Sequence, residues 1–150
     1  MKFKFRLEAL LRVRQRLEEV AEMEFAKALG NLKSLEEELK MQKEKLKKEE
    51  ERLRDGMEEG IMSSDFNFRC QLISHMEQKC RELDQRLKQA KVELAQARGQ
   101  LRQRHMDTEL VSGLKDRDLK RYLKEVDAEL QKELDELVSL SHARDRSKNR

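Results

Sequence analysis

The chain has 150 residues, of which 37% are hydrophobic, 43% charged and 4% aromatic, with no proline. That apolar content is too small for a thick globular core, and the prevalence of Ala, Leu, Glu, Lys, Arg and Gln favours long helices. The 34 basic and 31 acidic residues nearly cancel and are interleaved over most of the chain, which argues against nucleic acid as a partner.

The opening from Met1 to Leu7 alternates with a period of two and need not be helical; Phe3 and Phe5 either cap one end of the molecule or insert into a partner. From there Leu7, Leu10, Val13, Leu17, Ala21, Phe25, Ala28, Leu32, Leu35 and Leu39 follow one another in steps of three or four, the seam of a helix that faces another helix. The four-residue steps from Leu17 to Phe25 predict a stutter, a local unwinding of a left-handed supercoil. Beyond Leu39 only Leu46 and Leu53 continue the seam, with Gln42 and Glu49 between them, so the pairing should become looser and wetter. The charged runs 36–38 and 47–52 read as solvated faces.

This first arm, residues 1–55, ends in a predicted hinge over 56–65. Gly56 and Gly60 each cost about 1 kcal/mol relative to alanine inside a helix, and Ser63, Ser64 and Asp65 are the side chains that cap a new helix. A stop followed by a start implies a hairpin.

In the second arm, residues 66–140, Ile73, Met76, Cys80, Leu83, Leu87, Ala90, Leu94, Ala97 and Leu101 alternate strictly by three and four. The expected fold is all-α, a long antiparallel two-helix coiled-coil hairpin with the second helix longer than the first. Residues equidistant from about position 60 then face one another, Leu39 near Leu83. After Leu101 the pattern resumes off-register as Met106, Leu110 and Leu114 around Gly113, and continues as Leu119, Leu123, Val126, Leu130, Leu134 and Leu137. Either residues from about 115 to 140 overhang with an uncovered apolar stripe, the mark of a partner surface, or the chain bends near Gly113 and packs them back as a third short helix, or two copies hide their stripes against each other. Phe66, Phe68, Leu72, Ile73 and Met76 form a second cluster that either closes the hairpin tip or docks a partner. Residues 141–150 read as a basic, disordered tail. The first 16 residues carry six basic side chains against Glu8, so both basic ends meet at the open end of the hairpin.

Chemistry of sites is sparse. Cys70, His75 and Cys80 are five residues apart, and each such step turns a helix by ~140°, so the three cannot converge on a metal. Nor can the two thiols bridge within one helix. His105 and His142 lack a catalytic set, there is no glycine-rich phosphate loop, and carboxylates on a thin hairpin lack a pocket to perturb them. The expectation is no enzyme activity, no cofactor and no metal. No apolar run reaches the ~18 residues of a membrane span and the basic N-terminus lacks the apolar core of a signal peptide, which predicts a cytoplasmic protein.

The opening Phe3-x-Phe5-x-Leu7-x-x-Leu10-Leu11, the hinge Gly60-Ile61 followed by Ser63, the stretch from Cys70 to Glu77, and the segments Leu114-Lys115-Asp116-Arg117 and Lys132-Glu133-Leu134-Asp135-Glu136-Leu137 together resemble the bacterial flagellar FliJ family in order, spacing and total length. The resemblance covers most of the chain and is similar in plan to the injectisome stalk proteins and the rotor subunit of rotary ATPases. It implies a soluble component of the flagellar type III export apparatus that inserts its open end into the hexameric flagellar export ATPase, promotes ring assembly, contacts the cytoplasmic part of the export gate membrane protein and handles export chaperones. The ATPase-binding end would hold Leu7, Leu10 and Leu11 with Leu130, Leu134 and Leu137, and the export-gate-binding surface Leu72 and Met76. Where relatives place aromatic or apolar residues on the facing part of the first arm, this chain has Gln42, Lys45 and Glu49. The implied location is the cytoplasm, peripheral to the inner membrane at the flagellar base through these partners. A passive coiled coil that only homodimerises, the equivalent stalk of a virulence injectisome, and a basic membrane or RNA binder using residues 1–16 are the rival readings.

Overall fold

The computed structural model describes residues 2–149, and its elements are two helices, α1 Glu8–Glu59 and α2 Ser63–Lys148. The chain divides into two compact units, Glu19–Gln103 and Met1–Glu18 with Arg104–Arg150. In each, a stretch of α1 runs antiparallel to a stretch of α2. The fold is thus the all-α two-helix coiled-coil hairpin, with the second helix the longer.

Within Glu19–Gln103 the covered residues of α1 are Ala21, Phe25, Ala28, Leu29, Leu32, Leu35, Leu39, Gln42, Leu46, Glu49, Leu53 and Gly56. Those of α2 include Ile73, Met76, Cys80, Leu83, Leu87, Ala90, Leu94, Ala97 and Leu101, at the steps of three and four that keep a coiled-coil seam closed. The tightest cluster is Leu39, Cys80 and Leu83, backed by Leu35, Leu46 and Leu87, which places Leu39 against Leu83. Arg98 lies 6.0 Å from the centroid of Phe25, covering the ring with its guanidinium. Toward the turn the seam admits Glu49, held by Arg52 at 2.9 Å within α1 and by Arg69 of α2 at 3.8 Å. A charged seam residue is tolerated there because two cations answer it.

The connection is narrower than the predicted hinge. Helix α1 continues through Gly56, where an added Cβ would stand 3.5 Å from the Ile61 side chain. It ends at Glu59, because Gly60 adopts a left-handed φ of 91°, the usual way to terminate a helix at the first residue beyond it. Only residues 60–62 lie outside the helices. The N–H of Phe66 donates to the Met62 carbonyl at 2.9 Å, and Asp65 in the first turn of α2 complements its N-terminal dipole.

In the unit of Met1–Glu18 and Arg104–Arg150, residues 2–5 are outside regular secondary structure before α1 begins. Phe5, Leu11 and Val111 form the core, with Phe3 and Leu7 packed against it, and the rings of Phe3 and Tyr122 meet at 5.4 Å. Helix α2 passes through Gly113 without a break, so the segment beyond does not fold back as a third helix. It also stays helical through 141–148, where a disordered tail was expected. The stretch contains neither glycine nor proline, and Arg146 and Lys148 in its last turn oppose the negative end of the helix dipole.

Candidate functional site

What this unit offers to a partner follows from which side chains its seam takes. Leu7, just before α1, is covered, as are Glu8, Leu11, Arg14, Leu17 and Glu18 of α1, and those of α2 include Arg104, Asp107, Thr108, Val111, Lys115, Asp118 and Tyr122. Leu11 and Val111 are buried, 4% and 7% exposed, whereas Leu10, Val13, Met106, Leu110 and Leu114 are turned outward. The apolar pattern placed Leu10 and Val13 in the seam and continued off-register through Met106, Leu110 and Leu114; the structure turns all five outward. Leu11, Arg14 and Glu18 prolong backward the three-and-four spacing that Ala21, Phe25 and Ala28 follow, so the stutter expected from Leu17 to Phe25 is absent. Likewise Arg104, Thr108 and Val111 follow Leu101 at steps of three, four and three. Helical phase outranks residue polarity here because Arg14, Glu18, Asp107 and Lys115 each have an answer across the hairpin.

Those answers are ionic. Arg14 reaches Asp107 at 3.6 Å, Lys115 reaches Glu8 at 3.0 Å, and His105 Nδ1 meets Glu18 Oε1 at 2.7 Å while Nε2 meets Glu109 at 3.0 Å. The Glu18 hydrogen bond, followed by the charge of Glu109, raises the imidazole pKa above its ordinary 6.5. The same bond, with help from Thr108, lowers that of Glu18. These are exposed or half-exposed pairs and serve to fix register more than to add stability.

Beyond Tyr122 the longer helix has little intramolecular cover. Leu123, Leu130, Leu134, Leu137, Val138 and Leu140 are each at least half exposed, and Val126 alone is half-buried. The six residues assigned to ATPase contact therefore fall into two groups. Leu7 and Leu11 pack against the open-end core and Leu10 sits at its border, while Leu130, Leu134 and Leu137 lie on the uncovered extension; the structure does not bring the two groups together. Leu11 is fully enclosed, so it can support a contact surface but not form one.

In the other unit, Leu72 and Met76 are half-buried and line a groove of about 300 Å³ with Lys45, Lys48, Glu49 and Arg52. The groove exists because α1 presents long charged side chains opposite these two apolar ones. Phe68 beside it is 66% exposed and Phe66 half-buried. Among the described residues no group of His, Cys, Asp and Glu is placed to hold a metal ion, and both cysteines are free. No described helix is long and apolar enough to cross a membrane.

The chain is of the class of antiparallel coiled-coil hairpins, with exposed leucines along its longer arm. Residues 3–147 match the family model described as flagellar FliJ protein, and the chain belongs to that family. In structure it is similar to CT670 of Chlamydia trachomatis, described as a YscO homolog, with a TM-score of 0.64 at 22% identity over 98% of this chain and 99% of that one. At that identity the likeness shows the fold. A search of curated proteins finds no match.

Proposed function

We propose that the chain is a stalk-like component of the bacterial flagellar type III protein export apparatus, which binds the hexameric export ATPase and promotes its assembly. It carries no reaction itself and needs no cofactor. The observation that carries this reading is the leucine face of residues 123–140, at least half exposed at every leucine, on a member of the flagellar FliJ family. A soluble helix seldom leaves such a stripe unoccupied, and many weak apolar contacts on a straight helix suit repeated subunits of a ring. Leu130, Leu134 and Leu137 supply the affinity, Leu10 adds to it, and Leu7 and Leu11 hold the end of α1 in position.

The groove of Leu72 and Met76 is the contact for the cytoplasmic part of the export gate, and export chaperones are further partners. Through these the protein works in the cytoplasm, peripheral to the inner membrane at the flagellar base. The test is size-exclusion chromatography with light scattering of the protein mixed with the export ATPase of the same cell. The wild type should shift the ATPase toward a ring-sized complex and the triple variant L130A/L134A/L137A should not; unaltered binding by that variant refutes the assignment. L72A/M76A should keep ATPase binding and lose the gate protein.

A further inference from the structure

The displaced leucines of the open-end unit form a surface of their own. Leu10 and Val13 of α1 are 38% and 55% exposed, and Met106, Leu110 and Leu114 of α2 are 53%, 69% and 41% exposed. The ion pairs Arg14–Asp107 and Lys115–Glu8 fix the register of the two helices, which sets Leu10 level with Leu114 and Val13 level with Leu110. Asp107, Leu110 and Leu114 are spaced by three and four and share a face of α2, and Arg14, one turn after Leu10, reaches across to that face. The two apolar rows therefore border the same edge of the hairpin.

The charges around the two edges differ. Arg117 and Arg121 continue the face of Leu110 and Leu114, Arg16 lies one turn from Val13, all three are exposed, and the acidic group of this edge, Asp107, is neutralised by Arg14. On the opposite edge Glu109 and Asp116 are exposed, Glu8 is held by Lys115, and His105 lies between Glu18 and Glu109. An apolar edge with a basic rim fits an amphipathic helix with acidic flanks. The chain contains one that is uncovered: residues 123–140 hold six acidic side chains against two basic ones beside the exposed leucines.

We propose that the Leu10, Val13, Leu110 and Leu114 edge is a docking groove for the C-terminal extension of a second copy of this chain. The contact is head to tail. At ~100° per residue, Leu110 and Leu130 lie about 200° apart around α2, so the groove and the leucine stripe face opposite ways. Two copies cannot exchange extensions in a closed dimer, and each copy keeps one free groove and one free extension, which gives an open-ended assembly. Self-docking hides the leucines assigned above to the ATPase and thereby sets a concentration-dependent reserve of the free protein. The inference does not rest on the ATPase assignment, and its test contains no ATPase.

Two variants separate the halves of the contact: L110D/L114D removes the groove and L130D/L134D removes the stripe. All four side chains are exposed, and helix content by circular dichroism should match the wild type. In sedimentation velocity the wild-type mass should climb past a dimer as concentration rises and fall when salt is added. Each variant alone should remain a monomer, and an equimolar mixture should yield a dimer that grows no further, because one intact groove then meets one intact stripe. The charge variants R117E/R121E and D127R/E133R should each weaken assembly and together restore it, a result that does not depend on aspartate in the groove. Mixed variants that stay monomeric, a wild type monomeric at every concentration, or a closed dimer indifferent to L110D/L114D would each overturn the proposal. Capture of the protein by anionic vesicles through Arg117 and Arg121 in place of self-association would do the same.

Discussion

Adjacent residues Leu110 and Val111 give the sharpest test of where the seam runs, since the apolar pattern selects the first and the structure the second. Val111 is 7% exposed and packs with Phe5 and Leu11, whereas Leu110 is 69% exposed. Val111→Ala removes two buried methyl equivalents, about 1.6 kcal/mol at ~0.8 kcal/mol each. A residual cavity adds to this, while the better helix propensity of alanine returns up to ~0.6 kcal/mol. The net expectation is a loss of about 1–2 kcal/mol. Leu110→Ala deletes more atoms, but most of them already meet water, so its effect should stay within about 0.5 kcal/mol of zero. Tyr122, the single tyrosine in a chain without tryptophan, lies against Phe3 in the same unit and reports its unfolding by fluorescence. Urea titrations read by that emission, at concentrations where the chain is monomeric and with the slope unchanged, should give the larger midpoint shift for Val111→Ala. If Leu110→Ala shifts it more, the polar seam of Arg14, Glu18, Arg104 and Thr108 is wrong and the apolar pattern sets the register.

Leu83, 3% exposed in the cluster with Leu39 and Cys80, should cost about 2–4 kcal/mol on truncation to alanine, measured by urea titration of helix content. Gly60→Ala should lower the melting temperature, since a side chain there is strained at a φ of 91°. Gly113→Ala should raise it, by about 0.5–1 kcal/mol of stability, because an added Cβ meets nothing within 4 Å. His105 has a folded pKa raised above 6.5, first by the Glu18 hydrogen bond, so its contribution is fully present below that unfolded value and lost as pH rises through the folded one. Glu18, whose folded pKa is lowered from 4.5, contributes above that unfolded value and loses its contribution as pH falls through the folded one. Melting temperature against pH should decline on both sides, His105→Gln should flatten the alkaline limb and weaken the acid one, since the same bond lowers the Glu18 pKa, and an unchanged alkaline limb would sink the account.

The hairpin was legible because its middle obeys one rule throughout: from Ile73 to Leu101 every seam residue is apolar, or a cysteine or alanine small enough to pack, and the three-and-four spacing decides both helix and face. The turn was legible in kind but not in extent. Two glycines look alike in sequence, yet Gly56 stays helical beside Ile61 and only Gly60 takes the left-handed conformation. The open end misled for a different reason. A reading that follows hydrophobic residues moves with Leu10 and Val13, or with Met106, Leu110 and Leu114, when they leave the seam, whereas the backbone keeps its phase. The signal that could have found this is Val111, in step with Leu101 once Arg104 and Thr108 are allowed as seam residues.

That displacement has a physical purpose that a uniformly apolar seam could not serve. Leucines spent inside a two-helix hairpin stabilise it and are then lost to partners, whereas charged seam residues hold register at small net stability and release the leucines to the outside. In Glu19–Gln103 the chain follows the first course, with Leu39, Leu83, Ala90 and Leu94 buried. In the open-end unit it follows the second, where Arg14, Glu18, His105, Asp107 and Lys115 form the cross-helix contacts and the edge of Leu10 and Leu114 and the stripe of Leu130 and Leu134 remain available. Replacing Arg14 and Asp107 together by leucine should therefore stabilise the hairpin, as apolar replacement of a partly desolvated ion pair often does. If docking lives on the outer edge, that variant melts at a higher temperature and still binds its partners through the unchanged Leu110, Leu114, Leu130 and Leu134. A variant that is more stable but no longer docks would show instead that the ion pair is part of the contact and that the leucines alone do not define it.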